Sequence, residues 1–439
     1  GDAYYGRRMD GVEAGTIKKI LIKEEMPKPG AVCAYGDSMG TNYVLHRVHG
    51  TVPVEEDGSA HFKVPAGRPV VFVMLDENDR AVKHMNSFVS VMSGETVSCV
   101  GCHENRTTSA GVIRNTAQLQ ALKRAPSQIE PLEGVPELFD YVRDIQPIWD
   151  KNCVKCHNSE KYAGSLNLSG EMAPAYSMSY HSLRANRLVS LRSKGIDEPY
   201  TMGTGNSRII DVLEKEHHGA KLSDHEMLMV KTWIDASGTF AGTYVSTGSA
   251  SRDLKIKTPE DVAAMMEKRC GDCHRTTKKK PAWSGEIRRD ENRVYNLTNP
   301  DKSLLLLAPL SKEAGGLGFC KDSKNKNRRL GSLPLDEPSA NVFKSKDDPD
   351  YQLLKKFVDE VTTEYNRPRW FQEGFEPFDY YVREMKRFGA LPEDFDPATE
   401  KLDPYATDLN YFNIIYRDGP APETDLFLTD GLKEGAEKQ

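Results

Sequence analysis

The chain has 439 residues, enough for two to four domains at roughly 100–200 residues each. Its 38% hydrophobic and 28% charged content suits a globular protein with several modest cores. The 65 acidic against 59 basic residues give a net charge of −6, which disfavours nucleic-acid binding, and no apolar run approaches the ~20 residues a membrane span needs.

The first ten residues are polar, with no visible signal peptide, so the chain reads as a processed mature protein or a fragment whose leader is absent. Residues 1–124 are expected to be β-rich. Strands are predicted at Gly15–Lys23, Val44–Val52, His61–Val64, Val70–Leu75 and Phe88–Met92, with a break at Pro27–Gly30. Asp57-Gly58, Pro65-Ala66-Gly67 and Asp76–Asp79 supply turn signals. After a Pro/Ser-bearing linker at 125–132, Leu138, Val142, Ile145, Ile148 and Trp149 are spaced for one apolar helix face starting near Pro136. Ser223 is expected to cap a helix carrying Met227, Val230, Trp233 and Ile234. Thr258-Pro259-Glu260-Asp261 predicts a capped helix with Pro at its first position, and Asp348-Pro349 predicts another with Tyr351, Leu354, Phe357, Val358 and Val361 inward. Residues 366–439 are rich in Pro, Asp and aromatics and lack strong periodicity. A helix is plausible at Phe378–Phe388, and the last dozen residues read as mobile.

Six of the eight cysteines form three C-x-x-C pairs, Cys99/Cys102, Cys153/Cys156 and Cys270/Cys273. Each pair is followed at once by histidine: His103, His157 and His274. C-x-x-C-H is the attachment signature of c-type haem: two thiols bond the porphyrin vinyls and the adjacent imidazole becomes the proximal iron ligand. Zinc and thioredoxin-like sites also use C-x-x-C, but neither requires the next residue to be His. Three covalent haems are therefore expected, in a periplasmic or extracellular compartment. Cys33 and Cys320 lie outside the motifs; they read as buried thiols first and as a disulfide second.

The expected fold class is α+β and multidomain. Residues 1–124 form a small β-domain with the first haem. Residues 125–245 and 246–365 form two mainly helical cytochrome c-like domains with the second and third, repeating one plan of a helix before the motif and a closing helix after it. Residues 366–439 form an irregular tail wrapping the others.

The second axial ligand decides whether each iron carries electrons or does chemistry. For the second haem the candidates are His217 and His218, leaning to His218, with His225 expected on solvent and His181 in reserve. For the third, no His follows His274, so its ligand is a Met, another atom, a His from an earlier domain or nothing, and Met385, the one Met after Met266, is a candidate. For the first, His46, His49, His61 and His84 are all eligible, as is an open iron. Lys278–Lys280, Arg288, Arg289, Lys321, Lys324, Lys326, Arg328 and Arg329 make a basic cluster, read first as a solvated face and second as a dock for an acidic redox partner.

Several segments resemble one family. Gly50-Thr51-Val52-Pro53-Val54-Glu55, Asp57-Gly58-Ser59-Ala60, Val64-Pro65-Ala66 and Ser93–Ser98 running into Cys99-Val100-Gly101-Cys102-His103-Glu104 are similar to the middle domain of the hydrazine synthase alpha subunit. His217–Ser223 with Trp233-Ile234-Asp235, Asn296-Leu297-Thr298 with Ser303–Lys312, and Tyr381–Gly389 resemble the same relatives further along. The resemblance implies a β-type domain with one haem, His103 as its proximal ligand, and a helical domain whose haem pairs His157 with His217 or His218. It also implies chemistry at the first haem, which in the family is open or weakly blocked by a Tyr after the motif. Here that stretch is Asn105-Arg106-Thr107-Thr108; the family's N-terminal propeller has no counterpart in the sequence, and the third motif is additional.

Three functions follow. The first is a triheme cytochrome moving electrons outside the cytoplasm as part of a larger redox complex, its partners other cytochrome subunits. The second is a redox enzyme on small nitrogen compounds working at the first haem. The third is a scaffold whose haems staple small domains.

Overall fold

The computed structural model describes residues 3–4, 9, 11–30, 44–101, 119–191, 198–246, 256–271, 286–287, 293–320 and 342–416. Cys33, Cys102, His103, Cys273, His274, the basic cluster and the last dozen residues lie outside them.

The N-terminal unit is a four-stranded antiparallel sheet of β1 (Lys19–Glu25), β2 (His46–Pro53), β3 (Val70–Leu75) and β4 (Ala81–His84), ordered β2-β1-β3-β4. Alternation sorts its side chains between two faces. Leu21, Val48, Val73 and Leu75 enter the main core, while Ile20, Ile22 and Val52 pack a smaller cluster with Phe62 and Phe72. The expected strands at 61–64 and 88–92 reduce to single bridges, Phe62 with Ser127 and Val89 with Val70. β4 was hidden by its brevity and by the turn signals beside it.

The helices follow as α1 (Gln146–Asn152), α2 (Met178–Ala185), α3 (Arg208–Leu213), α4 (Asp224–Asp235), α5 (Glu260–Cys270), α6 (Leu304–Leu307), α7 (Pro349–Tyr365), α8 (Asp379–Arg387) and α9 (Pro404–Ile415). A turn of π-helix at Tyr141–Ile145 leads into α1. The chain is thus α+β. No described helix is long and apolar enough to cross a membrane.

The caps explain most helix starts. Ser223 and Glu226 close a reciprocal capping box on α4, and Asp348 caps α7 by accepting from the Asp350 amide. At α5 the expectation needs correction: Pro259 is itself the cap residue, and the buried Thr258 hydroxyl makes no capping bond. The tail is also more regular than expected. Residues 366–416 carry α8, as predicted, and α9, whose Asp403 accepts from the Tyr405 and Ala406 amides.

One core joins the sheet, the second unit and the tail. Leu21 and Val73 share it with Trp149, Tyr180, Trp233 and Phe240, and with Trp370, Met385, Tyr411 and Phe412 of the tail. Two buried carboxylates fasten the tail. Asp140 accepts from the Gly242 amide, Trp370 Nε1 and Tyr405 Oη, each at 2.9 Å. Asp408 accepts from Thr243 Oγ1, the Tyr244 amide and Tyr381 Oη at 2.6–2.7 Å. Burial raises both pKa values, that of Asp408 to about 6.

The third unit has its own core, where Val262, Met265 and Met266 of α5 meet Leu354, Phe357 and Val358 of α7. Its joint with the second unit is apolar where Tyr162 packs on Leu304, Leu307, Leu317 and Phe319, and polar beside that. The Leu297 amide donates to Met172 O (2.7 Å), and Glu171 accepts from Asn296 Nδ2 (2.9 Å), Asn299 Nδ2 (2.5 Å), Ser169 Oγ (3.0 Å) and Ser159 Oγ.

Candidate functional site

The second C-x-x-C-H motif lies wholly within the described residues. It begins where α1 ends. The Cys153 amide donates to Trp149 O (2.8 Å), and the His157 amide to Cys153 O (3.0 Å), so the motif continues as one tight turn. The start of α4 holds the end of α1. Glu226, fixed by the capping box, accepts from Lys151 Nζ (2.8 Å) and Asn152 Nδ2 (3.2 Å). Cys156 is exposed and Cys153 half-buried, and burial pushes the Cys153 thiol up to about 11.

His157 is oriented by its own loop. Its Nδ1 meets the Ala163 carbonyl oxygen at 2.8 Å, which assigns the proton to Nδ1 and leaves Nε2 with a lone pair. Burial lowers its pKa, and the nearby imidazoles of His217 and His218 act in the same direction, favouring the neutral, ligating form.

The ring lying parallel to His157 is His217. The centroids are 6.1 Å apart and the planes within 17°. Two imidazoles on opposite sides of one metal, with bonds of about 2 Å, put their centroids about 6 Å apart. The pair therefore fits axial ligation of a single iron. His218, to which the sequence reading leaned, packs edge-on against His217 at 4.5 Å. Local backbone explains the difference. His217 and Ala220 exchange both backbone hydrogen bonds, and His218 and Gly219 between them take φ of 52° and 80°. Left-handed backbone at both central positions is the type I′ hairpin pattern, which puts His218 at the turn tip and His217 on its stem.

The other candidates sit elsewhere. His181 is buried edge-on against Tyr176 at 5.4 Å, and His225 is exposed. Met385 is fully buried in the main core, whereas α5 and its Cys270 belong to the third unit. Cys99 is exposed after a run of exposed residues that includes Phe88, Met92 and Val97. Among the described residues, no cluster of three or more His, Cys, Asp or Glu side chains is arranged to hold a metal ion. Two parallel imidazoles fall below that count.

The histidines of the sheet form a different environment, one that sequence reasoning missed. His84 Nε2 meets Asp235 Oδ1 at 3.0 Å, both side chains nearly sealed from solvent. Asp235 also accepts from the Thr204 amide (2.9 Å) and Thr204 Oγ1 (2.7 Å), and its backbone carbonyl takes Lys23 Nζ at 2.8 Å. Gly203 makes room for this: a Cβ there would lie 2.2 Å from both His84 Nε2 and Asp235 Oδ1. His49 Nε2 meets the buried Glu24 at 2.8 Å. His46 is buried, 3.9 Å from Glu25, and burial holds its pKa well below the ordinary value, with Lys23 and His84 adding to the effect. Burial also lowers Lys23, to about 8, against the pull of Asp235. Of the four candidates for the first iron, His84 and His49 are thus bound to carboxylates and His46 is enclosed in the joint. The half-buried His61 has a buried Nδ1 without a hydrogen bond.

Comparison with known proteins places these features. Residues 15–104 match the family model described as the hydrazine synthase alpha subunit middle domain, a span that includes the whole sheet and ends just past Cys99 and His103. Among solved structures the chain is similar to Kuenenia stuttgartiensis hydrazine synthase, at 19% sequence identity and a TM-score of 0.40. That match covers 53% of this chain and 40% of the other. No curated protein matches the chain.

Proposed function

We propose, from the premise that residues 15–104 form a domain of the hydrazine synthase alpha-subunit middle-domain family, that this chain is a multihaem c-type cytochrome with a redox role on small nitrogen compounds. The observation that carries the reading is where the family match stops, one residue beyond the first C-x-x-C-H motif. It favours this reading over the plain electron wire that the three motifs put first.

Cys153 and Cys156 would hold the second haem by thioethers, with His157 and His217 as axial ligands. Cys99, Cys102 and His103 would hold the first, and Cys270, Cys273 and His274 the third. A bound haem supplies one-electron chemistry, and the protein sets its potential through axial ligands and burial. Ala163 O holds the Nδ1 proton of His157 and so keeps Nε2 basic toward iron. Asp235 and Glu24 keep His84 and His49 in the sheet joint, so neither is at liberty to close the first iron. His61 is then the sheet histidine with a ring nitrogen to spare, and with His61 unligated the first iron would be open as the place of chemistry. The compartment would be periplasmic or extracellular, and the partners other subunits of a redox complex.

The decisive measurement has two parts. Denatured, correctly matured protein should weigh three haems more than the bare chain. The intact protein should show one high-spin iron whose spectrum shifts with nitric oxide or hydroxylamine. A bare-chain mass ends the reading. Three unresponsive low-spin irons would leave the wire, which the paired histidines 157 and 217 favour, since two His ligands give a low-potential carrier.

A further inference from the structure

We propose that the cavity between the second and third units is a binding site for a small oxyanion. The cavity has a volume of about 300 Å³. Its polar lining is Tyr162 and Ser165 from the loop after the second motif, Ser182, Asn186 and Arg187 from the end of α2, and Arg293 from the third unit. Each of these side chains can donate a hydrogen bond, two are guanidiniums, and among the described lining residues there is no carboxylate. In a chain of net charge −6, a described lining with two arginines and no acid, the Glu171 carboxylate acting only from behind Tyr162, concentrates positive charge where an anion could be drawn in.

Two further observations converge on the same cavity. Tyr162 is 5% exposed, and its buried hydroxyl lies near the Asn167 side chain without forming a well-aligned hydrogen bond. A buried donor is normally satisfied, and an anion oxygen in the cavity would satisfy this one. The backbone is also strained here. Of seven non-glycine residues with positive φ among the described residues, three line this cavity: Tyr162 (44°), Ser165 (60°) and Arg187 (54°). Left-handed backbone is costly for residues with side chains and collects at functional sites. At roughly 30 Å³ per water, the volume exceeds one phosphate, so the ion would keep part of its hydration.

The site touches the redox machinery through one residue. Tyr162 and Ser165 flank Ala163, whose carbonyl oxygen holds His157 Nδ1 at 2.8 Å. An anion bonded to this loop would move or stiffen that carbonyl, and so alter the basicity of His157 toward its metal. This coupling rests on the haem reading above; the binding itself does not.

The test is calorimetric titration of the purified holoprotein with inorganic phosphate in chloride buffer. Binding at millimolar concentration or tighter is expected. Arg187→Gln, on the surface and safe for folding, should weaken it by about tenfold or more, and Tyr162→Phe by a few-fold. Phosphate should shift the reduction potential of the second haem in the wild type and not in Arg187→Gln. No binding, or equal binding by wild type and both variants, overturns the site. Binding with an unmoved potential overturns the coupling alone. Correctly matured protein that binds phosphate but carries no haem overturns the haem reading and leaves the site standing.

Discussion

His157 spends Nδ1 on a backbone carbonyl and keeps Nε2 available, with the parallel ring of His217 6.1 Å away. His84 and His49 instead spend a ring nitrogen on buried carboxylates, Asp235 and Glu24. The first pair suits a metal between two imidazoles. In the second set His84 fastens the sheet to the helices through Asp235 at the end of α4, with Lys23 reaching the same residue, and His49 ties β2 to β1. Identical side chains serve opposite ends, and what separates them is the partner at the other ring nitrogen. The contrast can be attacked from either side.

The largest effect is expected at His217. In matured protein, His217→Gly should convert one iron from six-coordinate low-spin to high-spin, and added imidazole should restore the original absorption and electron paramagnetic resonance spectra. His218→Gly should leave both spectra alone, because its ring packs beside His217. A spin change in the His218 variant, with none in His217→Gly, would reverse the assignment.

Asp235→Ala attacks the other environment. It strands His84 and Thr204 in a sealed joint, and a loss of about 3 kcal/mol in urea unfolding is expected. The spectrum of the second haem should not move. A spectral change equal to that of His217→Gly would mean that the two environments are one.

Sequence reasoning reached the local half of this comparison. The three motifs, the Ser223 cap with Glu226 three residues on, and the Asp348-Pro349 start of α7 are contiguous signals, and α4 and α7 form where they point. The His84–Asp235 pair spans 151 positions and depends on which strand face meets which helix end. No local pattern encodes that. β4 carries four residues, too few for a legible alternation. α9 escaped because Tyr411 and Phe412 are buried, Tyr405, Ile414 and Ile415 pack partly buried on the same core, and Leu409 lies outside, so no clean apolar stripe stands out. That His217 and not His218 lies parallel to His157 depends on the left-handed turn at His218-Gly219.

A pH experiment separates the tail joint from the histidine joint. Burial pushes the Asp408 carboxyl from an ordinary 3.8 up to about 6. Its contribution to stability is therefore fully present below about 3.8 and is lost as pH rises through 6, by up to roughly 3 kcal/mol for two pKa units. Between pH 4 and 7 the wild type should lose stability relative to Asp408→Asn, which keeps an acceptor oxygen and cannot ionise. Parallel stability curves for the two proteins across that window would show that Asp408 is not the source of the slope.

The smallest expected effect probes how the second motif is held. Ser223→Ala removes the Oγ that accepts from the Glu226 amide and so loosens the first turn of α4, which carries the Glu226 carboxylate that tethers the end of α1 through Lys151 and Asn152 just before Cys153. Loss of such a cap costs about 1 kcal/mol. If Glu226 positions the motif, the variant should also broaden the low-spin signal of the second haem, because the Cys153 turn would sample more orientations relative to His217. Glu226→Gln should lose less stability than Ser223→Ala, since an amide oxygen still accepts from Asn152 and from the Ser223 amide. A stability loss with an unbroadened signal would assign the cap to α4 alone and leave the ordering of the motif to the Trp149 and Cys153 backbone bonds.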